Sequence, residues 1–436
     1  MKTIKDTDKV IDDVLAWADT IKNSADFKVK DITLDQAKDW SLENGIIHHT
    51  SNRFFKVLGV SFEYPNGKIE YQPLLEQREI GTLGFLWRNE KIPELLVQAK
   101  IEPGNIGIVQ LAPSCQATES NADQVHGGDI SPFSDVFVKN EVNVISSSLQ
   151  SEQGSRFWGK MNRNVLATLK NDNYSKSPVH KWIPVDVVLK LIKIDYVLNT
   201  DARSVLVCSD WEKLVGREPF SSDKSAFNKE LFDSFYQDGC FQTNEQIKTD
   251  INNLRGKIKN AKVIPLDKLP GFEINEYGVK GKTEKPFGVK YIEVQTKYRE
   301  VSKWNQPIIE SCGSGIVNLI CGRINGILHF LFKPTIEPGL INKVELGPSV
   351  VIEPGEDLQK KNTETGKILI ESWQSDEGGR FYQDKSLYQI IDIGEAKPEP
   401  DGYVWLSIKQ IKSLLDEGGW LTNEARSALS LLLTWL

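Results

Sequence analysis

The hydrophobic pattern of the chain contains short alternating segments followed by helical ones, and this order occurs twice. Apolar and polar residues alternate over residues 54–62 and 291–295, which predicts half-buried strands. Residues 408–415 have helical spacing, and Asn199 and Thr422 are cap-like residues that precede a further helix in each half. Other strands are predicted at residues 81–87, 106–111, 142–146 and 316–321. Because strands come first and helices last, the sequence predicts an α+β fold with mixed or antiparallel sheets, not a doubly wound α/β fold.

Two further stretches have the spacing of amphipathic helices. Val10, Val14 and Ala18 lie on one stripe, which predicts a helix in the N-terminal segment, residues 1–28. The polar stretch 213–260 predicts a helical connector, since its apolar side chains are also helically spaced. These side chains are Phe227, Leu231, Phe232 and Phe235.

The two halves of the chain also match residue by residue. Gln72-Pro-Leu-Leu-Glu76 corresponds to Gln306-Pro-Ile-Ile-Glu310, and Ile101-Glu-Pro-Gly104 corresponds to Ile336-Glu-Pro-Gly339. Seven such matches occur in the same order, with offsets between 223 and 235 residues. We interpret this as an internal duplication. The predicted units are residues 29–212 and 261–436, with an extra loop around 121–139 in the first.

Composition and charge narrow the class of protein. The chain has 436 residues, with 39% hydrophobic and 26% charged side chains, which suits two globular domains. Its net charge of −7 and the lack of a long basic run argue against nucleic acid as a partner. No apolar run of about 18 residues and no signal core is present, so we expect no membrane partner and a cytoplasmic location. The five scattered cysteines are expected to be free thiols.

The common cofactor and nucleophile motifs are missing from the sequence. Gly313-Ser-Gly315 is followed by Asn318 where a dinucleotide fingerprint needs glycine. Neither a phosphate-binding P-loop nor an HExxH pair occurs, and no GxSxG elbow accompanies His126-Gly-Gly128. The sequence therefore predicts chemistry without a cofactor or metal, or binding alone.

Several blocks resemble one known family. They are Ile47–Phe55, Val109–Asn121 with Val125-His-Gly-Gly128, Arg299-Glu-Val301 with Trp304-Asn-Gln-Pro307, and Ser375–Tyr382. In these blocks, and over nearly the whole chain, the sequence is similar to the NDP-hexose 2,3-dehydratases. The resemblance implies two tandem units with a Nudix-hydrolase-like fold, a homodimer, and a dTDP-4-keto-6-deoxyglucose substrate from deoxysugar biosynthesis. It does not extend to metal hydrolysis, because Glu76 and Glu79 lack the rest of a Nudix metal-binding core.

The implied reaction sets requirements for the site. The C4 ketone acidifies the C3 proton, so a base removes it while donors stabilise the enolate oxygen. The C2 hydroxyl then leaves as water with help from an acid, and the enol rearranges to a 3,4-diketo-2,6-dideoxy sugar. Cations or amide groups should hold the diphosphate, and an aromatic face should cover the thymine. No redox cofactor enters the balance.

A run of polar side chains after a strand distinguishes the first unit from the second, which has apolar residues and proline there. Such a run is ordinarily a capped turn. The resemblance favours ligand contact instead, so we predict a catalytic first unit and a degenerate or structural second unit. The run comprises Gln116, Thr118, Glu119, Ser120 and Asn121.

Three side chains are predicted to be catalytic, although the sequence does not assign the acid and the base. Gln116 belongs to the polar run. His126 is either a general acid or base, or a histidine of a surface loop. Glu152, whose counterpart in the second half is Asp376, is either a base or the partner of an arginine.

Other side chains are predicted to bind the substrate. Arg156 and Arg380 occupy equivalent positions, as diphosphate ligands or in structural ion pairs. Trp40 and its counterpart Phe272 are predicted to stack on the base. The remaining predicted contacts are His48, Gln150, Ser151, Arg299 and Ser375. A sugar-nucleotide epimerase and a non-catalytic sugar-nucleotide binding protein remain alternative functions.

Overall fold

A computed structural model describes residues 7–118, 133–139, 141–171, 177–221, 224–282, 285, 287–354, 366–397 and 402–436. The α-helices within these residues are α1 (Thr7–Ser24), α2 (Ser134–Val138), α3 (Val185–Leu191), α4 (Thr200–Cys208), α5 (Trp211–Val215), α6 (Ala226–Tyr236), α7 (Asn244–Lys257), α8 (Ile408–Glu417) and α9 (Asn423–Ser430). Short 3-10 helices lie at Leu266–Lys268 and Leu431–Trp435. Helices α1 and α6 occur where the apolar spacing predicts them, and α7 lies within the predicted helical connector, residues 213–260.

Two large sheets have seven strands each. The first large sheet contains β6 (Gly81–Asn89), β7 (Pro93–Ile101), β8 (Val109–Ala112), β9 (Cys115–Ala117), β10 (Val142–Ser151), β12 (Met161–Leu169) and β13 (His180–Pro184). The second contains β19 (Gly315–Ile324), β20 (Ile327–Ile336), β21 (Val344–Pro348), β22 (Val350–Ile352), β23 (Lys367–Ser375), β24 (Lys385–Glu395) and β25 (Val404–Leu406).

Two smaller sheets complete the β structure. One contains β2 (Trp40–Glu43), β3 (Ile46–His49), β4 (Lys56–Glu63), β5 (Ile69–Glu76), β11 (Phe157–Trp158) and β14 (Lys262–Ile264). The other contains β1 (Lys28–Ile32), β15 (Phe272–Asn275), β16 (Gly278–Gly281), β17 (Phe287–Gln295) and β18 (Lys303–Ser311).

The strand pairings of the two large sheets correspond. Strand β6 runs parallel to β12 and antiparallel to β7 and β9, while β19 runs parallel to β24 and antiparallel to β20 and β22. Strands β8 and β13 both pair with β7, just as β21 and β25 both pair with β20. Both sheets are therefore mixed, and helices follow the strands in each half, in agreement with the predicted combination of helices and mixed sheets.

The smaller sheets exchange one strand between the halves. Strand β1 belongs to the first half of the chain but pairs with β17 of the second half. Strand β14 belongs to the second half but pairs with β4 of the first half. The halves also meet at two pairs of glycines, because Gly104 N donates to Gly378 O at 2.7 Å and Gly339 N donates to Gly154 O at 2.8 Å. A Cβ on Gly104 would lie 1.6 Å from the carbonyl oxygen of Phe381, so only glycine fits there.

Helices α4 and α9 lie between the large sheets, and every one of their residues is buried. Asn199 and Thr422 cap them by accepting from the N–H groups of Ala202 and Ala425, as the sequence predicts. The main hydrophobic cluster contains side chains from both sheets and both helices. The two halves therefore share one core.

One predicted strand is shorter than expected. The strand predicted at 106–111 begins only at Val109, because residues 106–108 form a turn in which Gly107 and Ile108 have φ of 81° and 76°. Such left-handed backbone is incompatible with an extended strand. Among the described residues, none of the helices combines the length and apolar character that crossing a membrane requires.

Candidate functional site

A cavity of about 450 Å³ lies at the ends of β6, β9 and β12 of the first large sheet. Gly81, Gln116 and Asn162 form its floor at these strand ends. Its lining also includes Trp40 and, from the second half, Glu377, Arg380 and most of residues 299–306. The cavity therefore belongs to both halves of the chain, and its volume is in the range of ordinary small-molecule sites.

Glu152 is a buried carboxyl group held at this cavity by two amide donors. Asn162 Nδ2 donates to its Oε2 and Asn423 Nδ2 donates to its Oε1, each at 2.6 Å. Burial raises the pKa of Glu152 to about 6, although Arg426 opposes the rise, and the nearby Glu377 adds to it. The group can thus exchange a proton near neutral pH.

Lys160 lies directly across from Glu152, where strand β12 begins. Its Nζ donates to the carbonyl of Glu79 at 2.6 Å. Burial lowers the pKa of Lys160 to about 8, although the Glu152 carboxylate partly compensates. An acid and a base with pKa values on either side of neutrality therefore share one cavity.

Asp201 and Glu377 are two of the other carboxyl groups that line the cavity. Burial raises the pKa of Asp201 well above its usual range, and Glu152 and Glu377 add to this rise. The pKa of Glu377 is also raised by burial and by Glu102. Gln116 Nε2 donates to Glu377 Oε1 at 3.3 Å and Gln116 Oε1 accepts from Asn199 at 3.1 Å, so the amide of Gln116 is fixed in orientation.

Arg299 belongs to an ion-pair network on one wall. Its Nη1 donates to Glu102 Oε1 at 2.6 Å and its Nε donates to Glu300 at 3.2 Å. Lys100 Nζ lies 3.2 Å from the same Glu102 oxygen. Burial by itself would raise the pKa of Glu102, but Arg299 and Lys100 lower it overall. The positive charge of Arg299 is therefore largely compensated within the protein.

Arg380 has spare hydrogen-bonding capacity at the cavity. Its guanidinium lies over the Phe55 ring at 4.2 Å, and its Nη groups donate to Gly379 O at 2.9 Å and to Gln77 Oε1 at 3.3 Å. Its Nε is buried and has no hydrogen-bond partner among the described residues. The acceptors of the Nη groups are neutral, although the charges of Glu377 and Glu102 act on the guanidinium. The Nη groups can therefore donate to an anion in the cavity.

Aromatic rings line the cavity beside Arg380. Trp40 packs against Phe55 and His49, with ring centroids 5.0 and 5.4 Å apart, and its Nε1 donates to Asn305 O at 2.8 Å. Trp304 lines the same cavity. Rings beside Arg380, with Glu152 and Lys160 in the same cavity, are typical of a site for an anionic ligand that carries a flat ring.

The matching position of the second large sheet is nearly closed, at about 20 Å³. In the second sheet Val351 is the strand partner of Val317, whereas in the first sheet the polar Gln116 is the strand partner of Leu83. Arg156, the counterpart of Arg380, lies over Phe287 at 3.9 Å and donates to Glu353 at 2.9 Å. Arg156 therefore has an acidic partner, and this space has room for about one water molecule.

The cavity of about 450 Å³ is called the large cavity below, and the one of about 20 Å³ the small cavity. Six of the predicted site residues line the large cavity. They are Trp40, Gln116, Thr118, Glu152, Arg299 and Arg380. Glu119, Ser120, Asn121 and His126 lie outside the described residues. The roles of all ten stay predictions.

The other six predicted residues do not line the large cavity. Phe272 is buried in a hydrophobic cluster, and Arg156 lines the small cavity. Neighbouring residues of a strand point to opposite faces, so His49 lines the cavity and His48 does not. His48 contacts Ser41 and Glu43 instead. The remaining three bond within the protein: Gln150 to Leu415 O, Ser151 to Glu345, and Ser375 to Gln110.

Sequence reasoning missed Lys160, Asn162, Asp201 and Glu377. Asp201 resembles an ordinary first-turn acidic residue of a capped helix, and Glu377 occupies the position aligned with Gln153 of the first half. The available signal was strand pairing, since β10 and β12 place Lys160 and Asn162 beside Glu152.

Comparison with known proteins identifies the family. The model of the NDP-hexose 2,3-dehydratase family matches residues 11–209 and 252–432. The chain belongs to this family, which confirms the resemblance seen in the sequence. It is therefore a relative of hydro-lyases that act on nucleotide sugars.

Three relatives are each named dTDP-4-dehydro-6-deoxy-alpha-D-glucopyranose 2,3-dehydratase. The protein from Amycolatopsis orientalis is 30% identical over 445 residues, covering 96% of this chain and 89% of its own. That from Saccharopolyspora spinosa is 31% identical, covering 93% and 87%, and that from Streptomyces violaceoruber is 30% identical, covering 93% of each. The crystal structure of an ADP compounds hydrolase matches 34% of this chain and 83% of its own at 19% identity, with a TM-score of 0.24, too low to define the fold.

Proposed function

We propose that this protein is a dTDP-4-keto-6-deoxy-D-glucose 2,3-dehydratase of deoxysugar biosynthesis. The observation that carries the proposal is the match, over most of both chains, to three relatives that all bear this activity in their names. The large cavity supports it, because it offers the cation, the aromatic rings and the titratable pair that such a substrate requires.

The reaction follows from the acidity of the C3 proton next to the C4 ketone. Glu152 takes this proton, and the polar groups of the cavity, including the Gln116 amide, stabilise the charge that develops on O4. Loss of the C2 hydroxyl as water and rearrangement of the enol give the 3,4-diketo-2,6-dideoxy product. Loss of water causes no net oxidation or reduction of the sugar, so the reaction needs no oxidant or reductant.

Arg380 and the aromatic rings of the cavity account for the nucleotide. The Nη groups of Arg380 suit a diphosphate oxygen, and Trp40, Phe55 and Trp304 provide apolar faces for thymine. In this arrangement the sugar lies next to Glu152 and Lys160, at the strand ends of the first large sheet.

We further propose that the chain consists of two diverged copies of one Nudix-like unit. The corresponding pairings of the large sheets and the equivalent packing of Arg380 and Arg156 over phenylalanine rings support this proposal. The open first cavity and the nearly closed second one support catalysis at the first sheet. The homodimeric state stays a prediction, which light scattering after size exclusion tests.

One assay tests the activity. The purified protein is given dTDP-4-keto-6-deoxyglucose in deuterated water, and the sugar is followed by mass spectrometry and NMR. Loss of water at C2 is the expected result. Deuterium at C3 with the C2 hydroxyl retained would instead indicate an epimerase, and binding without any change would indicate a binding protein.

A further inference from the structure

Lys160 is placed to act on the same sugar as Glu152. Ser151 of β10 pairs with Met161 of β12, and the next pair outward joins Glu152 N to Lys160 O at 2.9 Å. Residues directly opposite each other in antiparallel strands project to the same side, with Cβ atoms about 5 Å apart. Both side chains line the large cavity.

The surroundings of Lys160 leave its ammonium group able to donate to a ligand. The side chain is buried, and the carbonyl of Glu79 accepts one of its three N–H groups. Gly81 is the neighbouring wall, where a Cβ would lie 3.6 Å from Lys160 Nζ and 2.4 Å from Asn162 Oδ1. Glycine at this position therefore keeps the space beside both polar groups open.

We propose that Lys160 is the general acid that protonates the departing C2 hydroxyl, and that it works with Glu152 as the base that removes the C3 proton. This inference rests on the proposed function. It assigns the two roles that the sequence leaves open.

Each proton and electron pair has a place in this scheme. Glu152 takes the proton from C3, and the C–H electron pair forms the C3–C4 double bond of the enolate. The C4 carbonyl re-forms, the pair moves between C2 and C3, and the C2–O bond breaks as Lys160 gives a proton to the leaving oxygen. The enol then loses its O3 proton to the neutral Lys160 amine, and Glu152 returns a proton to C2. One water is released, and both side chains are restored.

Protonation states agree with this direction of transfer. Between the pKa of Glu152, about 6, and that of Lys160, about 8, the carboxyl is ionised and the amine is protonated.

Separate measurement of the two half-reactions tests the proposal. Wild type, Lys160→Met, Lys160→Arg and Glu152→Gln are each given dTDP-4-keto-6-deoxyglucose in deuterated water. Deuterium at C3 of recovered substrate reports proton removal, and loss of water reports elimination. Lys333→Met, an exposed lysine elsewhere on the second large sheet, is the matched control. Binding of dTDP checks that each variant is folded.

We expect both Lys160 variants to eliminate water about 100-fold more slowly or worse, in the range for a lost general acid, while deuterium still enters C3. Glu152→Gln should lose both half-reactions, and Lys333→Met should keep both. Lys160→Cys should recover elimination after treatment with bromoethylamine, which restores an amine of similar length. Wild type is treated in parallel as a control, because Cys240 and Cys312 are exposed and also react.

Three results would overturn the assignment of Lys160. They are equal loss of exchange and elimination in both Lys160 variants, full turnover by Lys160→Met, and a wild-type mass gain on borohydride reduction with substrate, which would show an imine. Exchange without elimination in His126→Ala, with Lys160→Arg active, would move the acid role to His126. If wild type itself leaves the C2 hydroxyl in place, the proposed function fails, and this inference fails with it.

Discussion

Replacing Glu345 by glutamine is expected to stabilise the folded protein at pH 8 much more than at pH 5. Glu345 lies on β21 in the contact between the halves, where its Oε2 accepts from Ser151 Oγ at 2.5 Å. Only 1% of its surface is exposed. Burial raises its pKa from 4.5 to about 7, while the Ser151 hydroxyl and Arg426 act in the opposite direction.

The magnitude follows from this rise in pKa. A carboxyl whose pKa is higher in the folded state binds more protons there than in the unfolded chain, so the free energy of unfolding falls as the pH rises from about 4.5 to 7. One pKa unit corresponds to about 1.4 kcal/mol, so ionised Glu345 costs about 3 kcal/mol at pH 8. About 1 kcal/mol of this is already present at pH 5. Glutamine cannot ionise, and the Ser151 hydroxyl can still pair with it.

The assay is urea unfolding followed by tryptophan fluorescence, for wild type and Glu345→Gln at pH 5 and pH 8. The stability difference between the two proteins should grow by about 2 kcal/mol between these pH values, with a difference of a few degrees in melting temperature. Contributions from titrating groups that do not interact with Glu345 are common to both proteins and cancel. Glu395→Gln, an exposed carboxylate of β24, is the matched control and should show no such change.

A stability difference that is constant with pH would refute the reasoning, since it would mean that Glu345 ionises in the folded protein as it does in water. A difference that shrinks with pH would show that Arg255 and Arg426 stabilise the carboxylate more than burial penalises it. Turnover should be unchanged, because Glu345 does not line the large cavity.

Three further predictions concern the site and the contact between the halves. Arg380→Ala should weaken dTDP binding about 10- to 100-fold, as calorimetry would measure, whereas Arg156→Ala should lower the melting temperature and leave binding intact; equal effects would contradict the assignment of the two cavities. Glu152→Gln should lower turnover about 10²- to 10⁴-fold with dTDP affinity kept, and near-normal turnover would exclude it as the base. Gly104→Ala should cost several kcal/mol of stability, because its Cβ meets a carbonyl oxygen. Gly256→Ala, in α7 with nothing within 4 Å of the added Cβ, should instead add about 1 kcal/mol. Urea unfolding measures both changes, and a Gly104→Ala protein as stable as wild type would contradict the packing at the contact.

Local periodicity was enough to predict much of the secondary structure. The apolar stripe of α1, the connector helices and the caps at Asn199 and Thr422 depend on interactions within a few residues of each other. The turn at 106–108 was missed because Ile108 has a left-handed backbone, which a β-branched residue rarely adopts. Surrounding contacts, rather than the residue's own preference, hold that conformation.

The sequence by itself determined the family, the order of strands and helices, and several chemical groups of the cavity, including Trp40, Glu152 and Arg380. Each of these depends on residue types and their order along the chain. Only the tertiary structure decided the exchange of β1 and β14, the separation of Arg156 from Arg380, and the placement of Lys160 beside Glu152. These features depend on contacts between distant parts of the chain and on burial, and burial sets both the space open to a ligand and the pKa values of the groups around it.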